Sequence, residues 1–135
     1  MELPYSKSKK ARNEETIAKH LDSRTSESKP NRINWLQNPL ILKHINTLVS
    51  GEPYPRISQG LLNVIKKQVG SQVFEKGVSV GCGIGNKEMV LLKDDLVRSF
   101  DLYELSSTRI EKGKEVAKKL GVEDRVTFHQ EDAFK

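Results

Sequence analysis

The sequence predicts an α/β fold, a parallel sheet with helical crossovers preceded by a helical leader. Three observations carry that expectation. Beyond Gly70, short β-rich runs alternate with helical spacing in the order strand, helix, strand, helix, strand. Ahead of Gly70, two stretches show helical spacing alone. A glycine loop, Gly81-Cys82-Gly83-Ile84-Gly85, stands between the first strand and the helix that follows it.

Residues 1–30 are polar, rich in Ser, Lys and Glu, and read as a mobile arm with a short helix over 14–21. Asn38 and Pro39 form an N-cap and first helical position. Leu40, Ile41, His44, Ile45 and Leu48 then share one stripe, and Gly51 ends the helix before a turn over 52–55. A second helix is expected over 57–69 from Ile57, Leu61, Ile65 and Val69, with Gly70 as its stop; Gly60 weakens its first turn.

Past Gly70 the period changes. Val78-Ser79-Val80 is a strand that runs into the glycine loop, and a short helix follows over 86–92. Val97–Tyr103 reads as the second strand. Ser106 and Ser107 are candidate caps for a helix with Ile110, Gly113, Val116, Ala117 and Leu120 on one face, and Gly121 lies just past its end. A third strand over 125–129 turns Val126 and Phe128 inward. Parallel strands in this order require right-handed crossovers. The chain thus divides into an arm (1–30), a helical leader (31–70) and an α/β portion (71–135).

With 135 residues there is room for one domain. The 23 Lys and Arg outweigh the 18 Asp and Glu, and the excess sits in residues 1–70, with 12 basic against 6 acidic residues. The only dense basic cluster is Lys7, Lys9, Lys10 and Arg12, without interleaved aromatics, so a nucleic-acid partner is not expected. No apolar run approaches the ~20 residues of a membrane helix, and the first residues carry no apolar segment of a secretory signal. The single cysteine, Cys82, excludes an internal disulfide and a multi-cysteine zinc site, and a reducing, cytoplasmic setting is expected. The three histidines have no metal-ligand spacing, so no metal is expected.

Spacing narrows the loop's ligand. A dinucleotide fingerprint places its third glycine five positions after the first, whereas here it is four, with Asn86 at the fifth. A P-loop needs Gly-Lys-Ser/Thr at its end, which is absent. At the end of the second strand, Glu104 is placed to accept from both hydroxyls of a ribose, and Asp101, three residues earlier, is the competitor. Glu131-Asp132-Ala133-Phe134 follows the third strand.

The alternate-glycine loop, Glu104 and Asp132 in register resemble the motifs of class I S-adenosylmethionine-dependent methyltransferases. Upstream, Trp35-Leu36-Gln37-Asn38-Pro39-Leu40-Ile41, His44-Ile45-Asn46 and Ser50-Gly51-Glu52-Pro53 resemble the leader of a bacterial group in that family, so the likeness covers residues 31–135. It implies a Rossmann-like sheet and S-adenosyl-L-methionine as cofactor. Gly81, Cys82, Gly83 and Gly85 would form the loop beside it, Glu104 would meet the ribose with Leu105 next to it in the cofactor site, and Asp132 and Ala133 would meet the adenine. Ser79 stands where the family often has the Asp or Glu that orients the methionine end.

Cys82 then fills a tight loop as a small residue rather than acting as a nucleophile, and Trp35 anchors the leader against the core. The family's seven-stranded core has its first strand in the middle, and three strands fit here. The expectation is therefore the amino-terminal part of a methyltransferase, inactive alone, with methyl acceptor and catalytic residues unassigned. An uncovered sheet edge would invite self-association. The alternatives are a non-catalytic interaction module and a nicotinamide- or flavin-binding half-domain.

Overall fold

The computed structural model describes residues 5–26 and 35–134, which gather into two compact units. One ends at Gln72 and contains two helices; the other combines the amino-terminal helix, α1 (Tyr5–Ser26), with the chain from Val73 onward. Residues 1–4 and 27–34, which belong to the expected arm and the start of the leader, lie outside the described residues, as do the side chains of Lys7, Lys9, Lys10 and Arg12.

In the helical unit, α2 (Pro39–Ser50) packs on α3 (Gln59–Val69). Local signals set the ends of α2. Asn38 Oδ1 accepts from the Leu40 N–H at 2.9 Å, Pro39 opens the first turn, and Gly51 closes the helix at φ 81°. The polar centre of the pair is Asn46, only 3% exposed. Its amide nitrogen donates to the carbonyls of Leu42, Tyr54 and Arg56 at 2.8–2.9 Å, and its Oδ1 accepts from the Gly60 N–H at 2.6 Å. One side chain thereby satisfies the turn between the helices and the start of α3.

Gly60 is explained by the same contact. A Cβ there would lie 2.7 Å from Asn46 Oδ1, so the residue that weakens the helix locally is what lets the two helices meet. α3 begins at Gln59, two residues later than the expected start at Ile57, because Ser58 sits at φ 62° and breaks the helical path. The stripe Leu40, His44, Leu48 is exposed, Leu40 at 76%, whereas Leu42 and Asn46 are the buried residues of α2. Trp35, expected as an anchor, lies in a single 3-10 turn and is also 76% exposed.

The second unit is built on a parallel sheet in the order β1 (Phe74–Val80), β2 (Val97–Tyr103), β3 (Val126–His129). The crossovers are α4 (Asn86–Lys93) and α5 (Ser107–Leu120), and the Rossmann-like arrangement expected from the sequence is present. β1 begins four residues before Val78, because Glu75-Lys76-Gly77 lacks apolar alternation yet pairs with β2 from Phe74↔Val97 onward. The core is formed by Phe100 and Leu102 from β2, Met89 and Leu92 from α4, and Ile110 and Ala117 from α5. Burying each of the large side chains contributes roughly 1.5–3 kcal/mol.

Glycine again marks close approach. A Cβ on Gly113 would meet the Phe128 ring at 2.5 Å and the Ile84 carbonyl at 2.7 Å, so α5 lies directly on β3 and on the glycine loop. On the other sheet face, Asp101 joins Lys76 at 2.5 Å and His129 at 3.3 Å, a polar ladder across the three strands. Among the described residues no strand pairs with the outer edge of β1, and Val78 is 63% exposed.

The segment expected as an arm with a helix over 14–21 forms the 22-residue α1, which contacts α5. Its Ala, Lys, Arg and Glu content favours a helix, and Lys19 pairs with Glu15 one turn back at 2.6 Å. Among the described residues no helix is long and apolar enough to cross a membrane.

Replacing Asn46 by Ala removes the acceptor of the buried Gly60 N–H and the donor to three carbonyls. A loss of about 2–4 kcal/mol is expected from such unpaired groups, read as a lower urea midpoint in far-ultraviolet circular dichroism. Leu40→Ala, on the exposed stripe, should change stability by no more than about 0.5 kcal/mol.

Candidate functional site

The site lies where β1 and β2 end. Gly81, Gly83 and Gly85 adopt φ of 66°, 63° and 80°, all in the left-handed region that side chains resist. That conformation turns the chain from β1 into α4 within five residues. The N–H groups of Gly81 and Cys82 both donate to the Tyr103 carbonyl, at 2.8 and 3.3 Å, which fastens the loop to the end of β2.

Glu104 completes the junction. Its backbone N–H donates to the His129 carbonyl at 3.1 Å and so continues the β2–β3 pairing by one residue. Its side chain, 3% exposed, turns back over the loop. Oε2 accepts from the Gly83 N–H at 2.9 Å, and Oε1 accepts from the N–H groups of Leu105 and Ser106 at 2.9 and 3.0 Å. Arg109 Nη1 stands 3.9 Å from Oε2. A buried carboxylate is tolerated because three N–H donors and a guanidinium compensate the lost hydration. Asp101, the competing acid, lies on the opposite sheet face with Lys76 and His129, as its odd-numbered offset from Glu104 requires.

Two hollows flank this junction. A cleft of about 580 Å³ is bounded by the glycine loop, the first turn of α4 and Arg109 and Lys112 of α5. In it, Glu88 Oε1 accepts from the Ser79 hydroxyl at 2.6 Å. A cavity of about 270 Å³ lies beside Val80, Tyr103, Glu104, Leu105, Asp132 and Ala133. Gly81 and Arg109 line both. Asp132 Oδ1 accepts from the Phe134 N–H at 3.0 Å, a local turn that fixes the chain just after β3.

The loop, Glu104 with Leu105, and Asp132 with Ala133 all follow the carboxyl ends of the three parallel strands and so lie at one end of the sheet. Four contributing residues were not legible as such. Glu88 meets Ser79 only once β1 and α4 are folded against each other. Ile17 and Leu21 of α1 line the smaller cavity, and their spacing of four was the one available signal. Asp22 accepts from the Ser106 hydroxyl and, at 3.2 Å, from the Thr108 N–H, and these bonds hold its carboxyl below the ordinary carboxylate range. Among the described residues no cluster of His, Cys, Asp and Glu could hold a metal ion.

Cys82 is half-buried, and its thiol is pushed up to about 12, first by burial and then by the charges of Glu88 and Glu104. The thiol donates to the Gly83 carbonyl at 3.5 Å. A thiol held protonated at neutral pH is a filler, not a nucleophile.

No protein-family model matches the chain, and no curated protein matches it. Solved structures do share its fold. Geranyl diphosphate C-methyltransferase from Streptomyces coelicolor A3(2), crystallised with Mg2+, geranyl diphosphate and S-adenosyl-L-homocysteine, matches over 90% of this chain at 19% identity with a TM-score of 0.55. A geranyl diphosphate methyltransferase bound to GPP and sinefungin matches over 86% at 16% identity and a TM-score of 0.51. YjhP from E. coli matches over 83% at 17% identity and a TM-score of 0.50. The chain spans 47%, 48% and 36% of those proteins, respectively. At these identities the likeness is one of fold.

Cys82 in the native chain should react with a thiol-specific disulfide reagent at mildly alkaline pH far more slowly than the same thiol in urea. Equal rates would contradict the protonated, packed thiol.

Proposed function

We propose that the chain binds S-adenosyl-L-methionine at the ends of β1 and β2 and forms the cofactor-binding part of a methyltransferase. The observation that carries this reading is the buried Glu104 carboxylate, joined to the Gly83 N–H of an alternate-glycine loop in a methyltransferase-like fold. Tested against this cofactor, the donor set fits. Glu104 offers an acceptor in the lining of the smaller hollow, and Gly81 and Arg109 border both. Its Oε1 already accepts two N–H groups, so the free capacity lies on Oε2, beside Arg109. Ribose hydroxyls would engage Oε2 and loosen the contact to Gly83 or Arg109.

In this reading Asp132 and Ala133 hold the adenine, with Leu105 at its face, and Gly81, Cys82, Gly83 and Gly85 let the backbone approach the remainder. Glu88, held by Ser79, supplies the carboxylate for the ammonium of the amino-acid end. It takes the role that the family often gives to the position of Ser79. Arg109 and Lys112 bring positive charge to the same cleft, which suits that end's carboxylate.

The bound cofactor supplies an electrophilic methyl group on a sulfonium. The residues of this chain bind and orient it, which is the proximity contribution to the reaction. The Trp35 to Pro53 leader belongs to the same reading. β1, central in the family, has one unpaired edge among the described residues.

Equilibrium dialysis should show S-adenosyl-L-homocysteine bound and NAD not bound; binding of NAD alone would overturn the assignment. Glu104→Ala should weaken S-adenosyl-L-homocysteine about ten- to a hundredfold, the value of hydrogen bonds to a charged acceptor. Asp101→Ala should have a much smaller effect.

Glu88→Gln should lower affinity for S-adenosyl-L-homocysteine roughly tenfold, by loss of a charge-assisted contact. It should leave binding of methylthioadenosine, which lacks the amino-acid end, unchanged. An equal loss for both ligands would remove Glu88 from the ammonium site.

A further inference from the structure

The smaller cavity has a wall that the cofactor motifs do not supply. Residues at and just after the ends of the three strands line it, and so do Ile17 and Leu21 of α1. These two side chains stand one helical turn apart, so both reach the same hollow. Ile17 is 48% exposed although it faces a cavity, which leaves apolar surface available to a ligand.

The helix is tied down immediately next to that pair. Asp22 accepts from the Ser106 hydroxyl and the Thr108 N–H, and so adds a second cap to the N-terminus of α5. Ser106 is itself the cap residue, whose Oγ accepts from the Arg109 N–H at 3.2 Å. The Ser106 N–H meanwhile donates to Glu104 Oε1 at 3.0 Å. A continuous set of hydrogen bonds therefore runs from α1 through Ser106 to the carboxylate that grips Gly83. The seat of α1 and the acid at the end of β2 share one residue.

We propose that α1 is the outer wall of the nucleoside half of the site, with Ile17 and Leu21 packed on the ligand's base and Asp22 as the positioning residue that seats the helix. The inference rests on the S-adenosylmethionine reading of that site. An apolar wall suits a purine face, whose hydrogen-bonding edge would be left to Asp132 and the backbone at Ala133. Docking of α1 and ligand binding are then linked, because each covers apolar surface that the other leaves in water.

The test uses the full chain with S-adenosyl-L-homocysteine as probe, reading amide hydrogen exchange over residues 13–24 together with the ligand's off-rate. Ligand should slow exchange in α1 of the wild type. Asp22→Ala should raise the off-rate by about tenfold or more and abolish that protection, and Asp22→Asn, which keeps an acceptor oxygen, should restore part of both. Leu21→Ala leaves the α5 cap intact and should also raise the off-rate, so an unfolded Asp22→Ala variant would not decide the matter. If the wild type binds but α1 exchange is unchanged, and Leu21→Ala releases the ligand at the wild-type rate, the wall is refuted while the site stands. If the wild type does not bind, the reading of the site fails and takes the wall with it.

Discussion

The structure of the α/β unit turns on one buried carboxylate. Glu104 sits where β2 stops being a strand, and its two oxygens accept three backbone N–H groups from two different places. One is the glycine loop, 21 residues away in sequence. The others open the turn into α5. A neutral or shorter side chain there would leave the Gly83 N–H and the turn unpaired in a buried setting, at roughly 1–3 kcal/mol for each lost partner. The left-handed glycines make the loop possible, and Glu104 selects its shape. The same atoms that hold the fold form the site, so binding exchanges one set of partners for another.

The helical unit has its own centre, Asn46, with a similar logic. A single polar side chain satisfies four backbone groups, and a glycine opposite it clears the space. In both units the specificity of the packing is carried by a buried polar group facing a glycine, while the apolar side chains supply bulk burial. Leu102, Met89 and Leu92 could be exchanged for residues of similar volume at modest cost. Glu104 and Asn46 have no such substitutes, because direction and hydrogen-bond capacity matter as well as size.

What was legible in the sequence is what short-range chemistry determines. Asn38, Pro39 and Gly51 bound α2 through contacts within four residues, and Ser106 and Gly121 do the same for α5. The order of strands and helices followed from periodicity, and Glu104 from its place at a strand end. The start of β1 was missed because Glu75-Lys76-Gly77 is strand only by pairing with β2, and Ser58 carries no sequence sign of its left-handed φ. Glu88, Asn46 and Asp22 were missed as partners because their bonds reach 9, 14 and 84 residues along the chain. The period of α2 marks the stripe that shares one face, yet it cannot say which neighbour that face would meet.

A ligand with a ribose should bind at the Glu104–Gly83 junction. Amide NMR of the chain during titration with S-adenosyl-L-homocysteine tests it most directly, because the Gly83, Leu105 and Ser106 N–H groups all report on the Glu104 carboxylate. Saturable shifts are expected, largest at these three amides and at Ala133. Saturable shifts clustered elsewhere, or an unchanged spectrum at saturating ligand, would contradict it.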